Sequence, residues 1–366
     1  MLAHTRRYDT MHTMTFNGPI FICGTSRSGT SVLQSALEKN TRIAIAGETH
    51  YFDDLRVALG AARRAAPLDE TMRLRVEDYF LALSHRPFGH AGDPNQGWMH
   101  RDALRARAKS LGDGADAYFE AFCRECGARN EADIWGEKTP RHVFRLTEML
   151  TRYPEGKAIF MLRDPRAVVA SYRDWKNQGG FDFEKDPGHA QTLAAEEARA
   201  RRSYHPVTIA LLWVAAARAA SQALQAFGPT RVRLQRYEEL CDKPDQELGA
   251  IFDWLRLERP GNMTAVPVRN SSYEKYSNDG GFVRGAMDRW QKTMSAAEIC
   301  VVERCCRSLL VPMGYESVSP AASISATALY YASAAPAIIR AAMINAKRSG
   351  NMVEYISRRA RLVIGR

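Results

Sequence analysis

A lysine in its one glycine-bounded loop, an apolar leader, a paired-cysteine framework and a metal-ligand cluster are all missing from this 366-residue chain. Each absence removes a class of protein. Residues 1–16 are polar, with no apolar h-region, so they read as lacking a signal peptide; Met11 and Met14 stand as alternative starts. No stretch before the C-terminal tail reads as a transmembrane span. The seven cysteines are odd in number and scattered through apolar segments. Cys123 and Cys126 have ligand spacing but no second pair, and Cys305 and Cys306 sit in a helical pattern. This argues for buried thiols in a reducing, cytoplasmic compartment and leaves no metal site to expect. Basic residues interleaved with aromatics over the body are missing as well, which speaks against nucleic acid as a partner. More than half of the net charge of +10 sits in the tail, where Arg340, Lys347, Arg348, Arg358, Arg359, Arg361 and Arg366 face a lone Glu354.

What is present centres on Gly24-Thr25-Ser26-Arg27-Ser28-Gly29-Thr30-Ser31. An apolar burst, Pro19-Ile20-Phe21-Ile22-Cys23, precedes it and reads as a buried strand; apolar residues at helical spacing follow it through Leu37. A strand, a curled loop and a helix start turn backbone N–H groups toward a phosphate, with hydroxyl donors from Thr30 and Ser31. A plain strand-to-helix turn is the other reading. A Walker motif carries lysine directly after its second glycine, where this chain has Thr30. The loop's one cation is Arg27, which suits a single phosphate or a phosphosulfate better than ATP or GTP.

Further stations follow along the chain. A second strand over residues 41–46 runs into Glu48-Thr49-His50, at what becomes the carboxyl edge of a parallel sheet. Glu48 is a candidate general base there, or a helix cap or surface ion pair. Residues 54–131 read as helical, with a loop around residues 87–97. Lys138 stands beside a turn and either faces an anion or is a solvated lysine. Lys157 to Leu162 is a second buried strand, leading to Arg163-Asp164-Pro165 and a helix that Pro165 is suited to start. Arg163 and Ser171 converge on one anion, or Arg163 pairs locally with Asp164. Residues 176–206 read as a polar, mobile insertion or lid, residues 208–227 as an apolar helix, and residues 231–235 as a strand leading to Tyr237. Arg284 lies in a glycine-flanked stretch that either closes over a phosphate or is a solvated loop.

In this order the stations resemble the PAPS-dependent sulfotransferase family over roughly residues 19–315. The resemblance rests on residues 24–31, on Leu162-Arg163-Asp164-Pro165 with Ser171 eight residues after Arg163, and on Arg236-Tyr237-Glu238-Glu239-Leu240. It implies that Thr25, Ser26, Arg27, Ser28, Gly29, Thr30 and Ser31 hold the phosphosulfate of 3′-phosphoadenosine 5′-phosphosulfate (PAPS). Arg163 and Ser171 would hold its 3′-phosphate, with Tyr237 and Arg284 beside it, and no metal would be needed. Glu48-Thr49-His50-Tyr51-Phe52-Asp53 and Glu137-Lys138-Thr139-Pro140 are similar to segments of glycan sulfotransferases; tyrosylprotein sulfotransferases share the glutamate. Glu48 would then be the base, His50 its orienting partner, and Arg27 and Lys138 the cations at the reacting centre. Arg27 departs from the lysine many members carry.

The expected architecture is α/β: a P-loop-type three-layer α/β/α domain with a central parallel sheet over residues 15–315, helical insertions, and a C-terminal helical tail over residues 316–366. Residues 321–339 of the tail carry no charge and include Pro336, a poor transmembrane span. The tail either lies on an anionic membrane, making the enzyme peripheral, or packs on the body or on a second copy in a homodimer. A carbohydrate or glycolipid hydroxyl is the expected acceptor. A P-loop kinase or NTPase, and a non-catalytic membrane-associated binding protein, are the other readings.

Overall fold

In the computed structural model, residues 16–86, 92–176, 187–268, 271–275, 277, 280–346 and 351–365 are described. The alternative starts Met11 and Met14, the expected loop at His90, the glycine pair Gly179-Gly180, and the tail cations Lys347, Arg348 and Arg366 lie outside them.

Five parallel strands, β1 (Ile20–Gly24), β2 (Ile43–Ala46), β3 (Ile134–Lys138), β4 (Lys157–Leu162) and β5 (Val232–Arg236), form one sheet in the order β2-β3-β1-β4-β5. A parallel sheet must be covered on both faces, and the alternation within β1 shows how. Ile20 and Ile22 join Leu33, Leu37, Ile251 and Phe252 in one apolar core, against the Thr30–Leu37 and Pro244–Leu255 helices. Phe21 and Cys23 join Phe80, Phe119, Val168 and Trp213 in the other, against the Glu70–His85, Ala115–Arg129, Pro165–Arg173 and Pro206–Phe227 helices. The three-layer expectation holds. Because the chain leaves β1 toward β3 and β2 and returns past it to β4, the carboxyl edge of β1 is the switch point where ligands bind in such sheets.

Three elements depart from the expectations. β3 was not foreseen as a strand, since Gly136, Glu137 and Lys138 break its apolar run; it nonetheless sits between β2 and β1, and a Cβ on Gly136 would meet the Ile20 carbonyl. The segment expected as a polar loop contains a helix, Pro187–Ser203, that packs near the C-terminal helices. Its Leu193 and Ala200 are buried, which gives an otherwise polar sequence one anchored face. The tail folds back onto the body. Its Ile324–Asn345 helix, capped by Ser323, packs on the Pro187–Ser203 and Ala296–Leu310 helices, and its Met352–Ile364 helix packs on Pro206–Phe227. Ion pairs fasten the latter: Glu354 to Arg145 at 2.9 Å and Arg358 to Glu148 at 3.0 Å, while Arg218 donates to the Leu362 carbonyl at 2.7 Å.

Candidate active site

Each strand delivers a residue to the same edge. β1 ends in the loop, which reverses through two left-handed residues, Arg27 (φ 73°) and Gly29 (φ 87°), before the helix begins. A Cβ on Gly29 would collide with the Tyr237 ring, so glycine is required there on both counts. Thr25 and Ser28 bond to each other through their hydroxyls, and Ser28 is wholly buried, so it shapes the loop from within.

Past β4, Arg163 donates from Nη1 to the Arg27 carbonyl and from Nη2 to the Ala286 carbonyl, both at 2.7 Å, and its guanidinium lies 4.4 Å from the Tyr237 ring centroid. Its Nε is buried without a hydrogen-bond partner among the described residues. Arg27 lies close by. The sequence puts its charge at the sulfuryl end of the loop, but the left-handed backbone turns it toward the Pro165–Arg173 helix. There Nε donates to Ser171 Oγ at 3.2 Å and Nη2 to Ser272 Oγ at 2.8 Å. Burial and then the nearby Arg163 push the Arg27 guanidinium down to about 10. Two guanidiniums and two hydroxyls, lining a cavity of about 130 Å³ with Thr30, Ser31 and Tyr237, make an anion receptor.

Arg284 is not part of it. It sits on an exposed turn, donating to the Asp242 carbonyl at 2.5 Å, while its neighbours Val283 and Ala286 line the cavity. Ser272 and Tyr273 line the cavity where Arg284 does not, and the irregular segment that holds them gave no sequence signal for it.

At the β2 and β3 ends, Lys138 Nζ donates to Glu48 Oε1 at 2.8 Å and His50 Nε2 lies 3.4 Å from Glu48 Oε2. Burial alone raises the Glu48 pKa, but Lys138, ahead of His50, pulls it well below the usual carboxylate range. Burial, then Arg141, lowers His50, keeping it neutral. The segment is held by a group the sequence reading assigned no role. Glu137, buried in β3, accepts from Thr49 N at 3.2 Å, Thr49 Oγ1 at 2.9 Å, His142 Nδ1 at 2.9 Å and the Thr139 hydroxyl. Its sequence signal was its place in Glu137-Lys138-Thr139-Pro140, the stretch similar to glycan sulfotransferase segments. Replacing Glu137 with Ala strands those donors, and the expected loss is about 3 kcal/mol of unfolding free energy, read by urea denaturation; a loss below about 1 kcal/mol would remove the anchoring role.

A second cavity, of about 260 Å³, opens above Glu48 and His50. Thr25, Arg141, Phe144, Tyr172, Trp175 and Leu193 line it, together with Tyr355 and Arg359 from the tail. Ser26 and Arg27 line both cavities, so the two meet at the loop. Most of the expected site residues thus line an anion receptor or a half-apolar chamber with a carboxylate on its wall; Arg284 lies outside, Ser28 is buried beneath the loop, and Lys138 lines neither cavity and reaches the chamber only through Glu48.

Comparison with known proteins identifies the family. A family model described as the sulfotransferase family matches residues 19–261, well over half of the chain. The chain belongs to the sulfotransferase family. Nodulation protein NoeE of Sinorhizobium fredii is 26% identical over 213 residues, covering 55% of this chain and 48% of that relative, so the match spans about half the relative's length. Among solved structures, the sulfotransferase domain from the curacin biosynthetic pathway is 18% identical, with 82% of this chain and 99% of that one covered and a TM-score of 0.44. The sulfotransferase domain of the Synechococcus PCC 7002 olefin synthase is 14% identical, with 82% and 98% covered and a TM-score of 0.42. The family match ends at residue 261, before Ser272 of the anion receptor and before the tail residues of the larger cavity.

Proposed function

We propose that this sulfotransferase uses PAPS as its donor and sulfates a hydroxyl of a carbohydrate or glycolipid, with Glu48 as general base. One observation carries the proposal: the anion receptor and the larger cavity meet at Ser26 and Arg27, with Glu48 on the wall of the second. A donor and an acceptor need two chambers with one shared boundary.

The residues fit the donor. Arg163, Ser171, Arg27 and Ser272 supply guanidinium and hydroxyl donors for a phosphate, and the loop through Gly29 opens N–H groups at the helix start for a second. When bound, PAPS supplies an electrophilic sulfuryl group to the junction of the cavities. Glu48, ionised in the resting pair with Lys138, accepts the proton of an acceptor hydroxyl, and neutral His50 stands 3.4 Å from the carboxylate's second oxygen without a hydrogen bond to it. Lys138 lines neither cavity and acts through Glu48, whose Oε1 it holds from behind the chamber wall. The loop N–H groups and the two arginines stabilise negative charge on the departing side.

Calorimetric titration without magnesium tests the donor, with 3′-phosphoadenosine 5′-phosphate (PAP) and ATP in parallel. Tight binding of the bisphosphate alone is expected. A preference for ATP turns the reading to a kinase, and no binding of either turns it to a non-catalytic protein.

A cytoplasmic enzyme acting on a glycolipid must reach a membrane face. The Ile324–Asn345 helix leaves Ile324, Leu329, Ile339 and Met343 exposed, which supports peripheral contact there. Co-sedimentation with anionic vesicles, lost on replacing Leu329 and Met343 by Glu, is the expected result; failure of the intact protein to sediment removes the membrane from the proposal.

A further inference from the structure

The tail places a buried arginine in the larger cavity. Arg359 lines that cavity with Glu48 and His50, although its residue is only 6% exposed. Its guanidinium lies 3.5 Å from the Tyr355 ring centroid and 4.0 Å from that of Phe144, and Nη1 donates to the Tyr355 carbonyl at 3.2 Å. The head group is therefore oriented by two rings and one backbone bond. Nε and Nη2 are buried without a hydrogen-bond partner among the described residues. The nearest carboxylate, Asp53, stands 3.8 Å from Nη2, beyond hydrogen-bond reach.

Most of the surrounding charges are committed to one another, although Asp53 Oδ2, 3.8 Å from Arg359 Nη2, accepts no hydrogen bond among the described residues. Arg145 is shared among Asp53, Glu148 and Glu354 at 2.9–3.1 Å, Arg358 between Glu148 and Glu354, and Arg141 between Asp53 and Asp54. Although burial opposes it, Arg359 and then Arg141 pull Asp53 down to about 2, so Asp53 stays a full counter-charge without meeting the Arg359 donors. A buried guanidinium with two unmatched N–H groups is costly unless a ligand meets them. The planar fork presents those groups in the spacing of a carboxylate or a phosphate.

We infer that Arg359 binds an anionic substituent, carboxylate or phosphate, on the acceptor whose hydroxyl meets Glu48. This rests on the larger cavity being the acceptor chamber of the proposed reaction. It narrows the acceptor from a carbohydrate in general to an acidic one, a uronic acid or a phosphorylated sugar. The selecting residue comes from a helix outside the family-matched segment.

The test uses the intact protein saturated with PAP and three matched probes: p-nitrophenyl β-D-glucuronide, p-nitrophenyl β-D-glucoside, and that glucoside phosphorylated on its primary hydroxyl. Calorimetry is expected to show at least one anionic probe binding about tenfold or more tightly than the neutral glucoside, the gain typical of a charge-assisted fork. Which anion is preferred separates the carboxylate from the phosphate. In Arg359→Gln the preference disappears while PAP affinity is unchanged; Arg359→Lys, which keeps the charge but not the fork, retains part of it. Equal binding of all three probes, no binding of any, or a preference that survives Arg359→Gln overturns the inference. The wild-type comparison decides even if a variant folds poorly. Failure of PAP itself to bind would strike at the donor assignment instead, and so is distinguishable.

Discussion

Replacing Glu48 with Gln is expected to lower kcat by about a thousandfold, within the range seen when a positioned general base is removed, and to leave PAP affinity unchanged. The amide keeps the shape and can still accept from Lys138, so the pocket is preserved while the proton acceptor is lost. Its distance from the anion receptor is what separates the two readouts: Glu48 lines only the larger cavity. A variant that retains wild-type turnover, or that loses PAP binding as well, would remove Glu48 from the role of base. The pH profile supplies a second check with a defined sign. The folded Glu48 carboxyl is depressed, so it remains ionised as the pH falls through the ordinary carboxylate range. Accordingly kcat/KM, which reports the free enzyme, should show no acid limb near the pKa of an ordinary glutamate. Lys138→Met removes the strongest cause of the depression and leaves burial opposed by His50 alone, so the pKa rises and an acid limb should then appear.

The second large effect is expected at Arg163. Arg163→Ala should weaken PAP about a hundredfold, because a guanidinium binding a phosphate through two charge-assisted hydrogen bonds contributes about 3 kcal/mol. Part of that loss is indirect: Arg163 ties the Arg27 carbonyl and so braces the loop. Ser171→Ala tests the direct part, since the hydroxyl braces nothing in the loop backbone; about a tenfold loss is expected from one removed bond to a charged group. Titration that finds PAP unaffected by either change would move the phosphate elsewhere.

Much of this site could be read from the sequence because its parts are local. The loop closes on Gly29, whose left-handed φ of 87° glycine adopts most freely, and β1 and β4 are apolar on both faces as buried parallel strands must be. Arg163 stands two residues before the short helix that carries Ser171, so the segment between them is local and their eight-residue spacing is readable. The positions that were not legible depend on long-range contacts. β3 is a strand because β1 and β2 flank it, and its Glu137 is tolerated because Thr49 and His142 arrive from elsewhere in the chain. Arg27 carries the right charge, but its direction follows from a left-handed φ that a sequence pattern does not encode. Arg284 had the composition of a phosphate-closing residue and turned outward to the end of a neighbouring helix, while Ser272 lines the cavity. The tail showed its apolar and basic content plainly, while its return over Glu148 and Arg145 could only be seen once folded.

The returning tail also sets an order of assembly. During synthesis the sheet, the loop and every residue of the anion receptor through Ala286 leave the ribosome before Tyr355 and Arg359 do. A nascent chain can therefore complete the smaller cavity while the larger one still lacks a wall. On the proposed reading, a cleavage between the body and the Met352–Ile364 helix would leave the smaller cavity intact and take Tyr355 and Arg359 from the wall of the larger one.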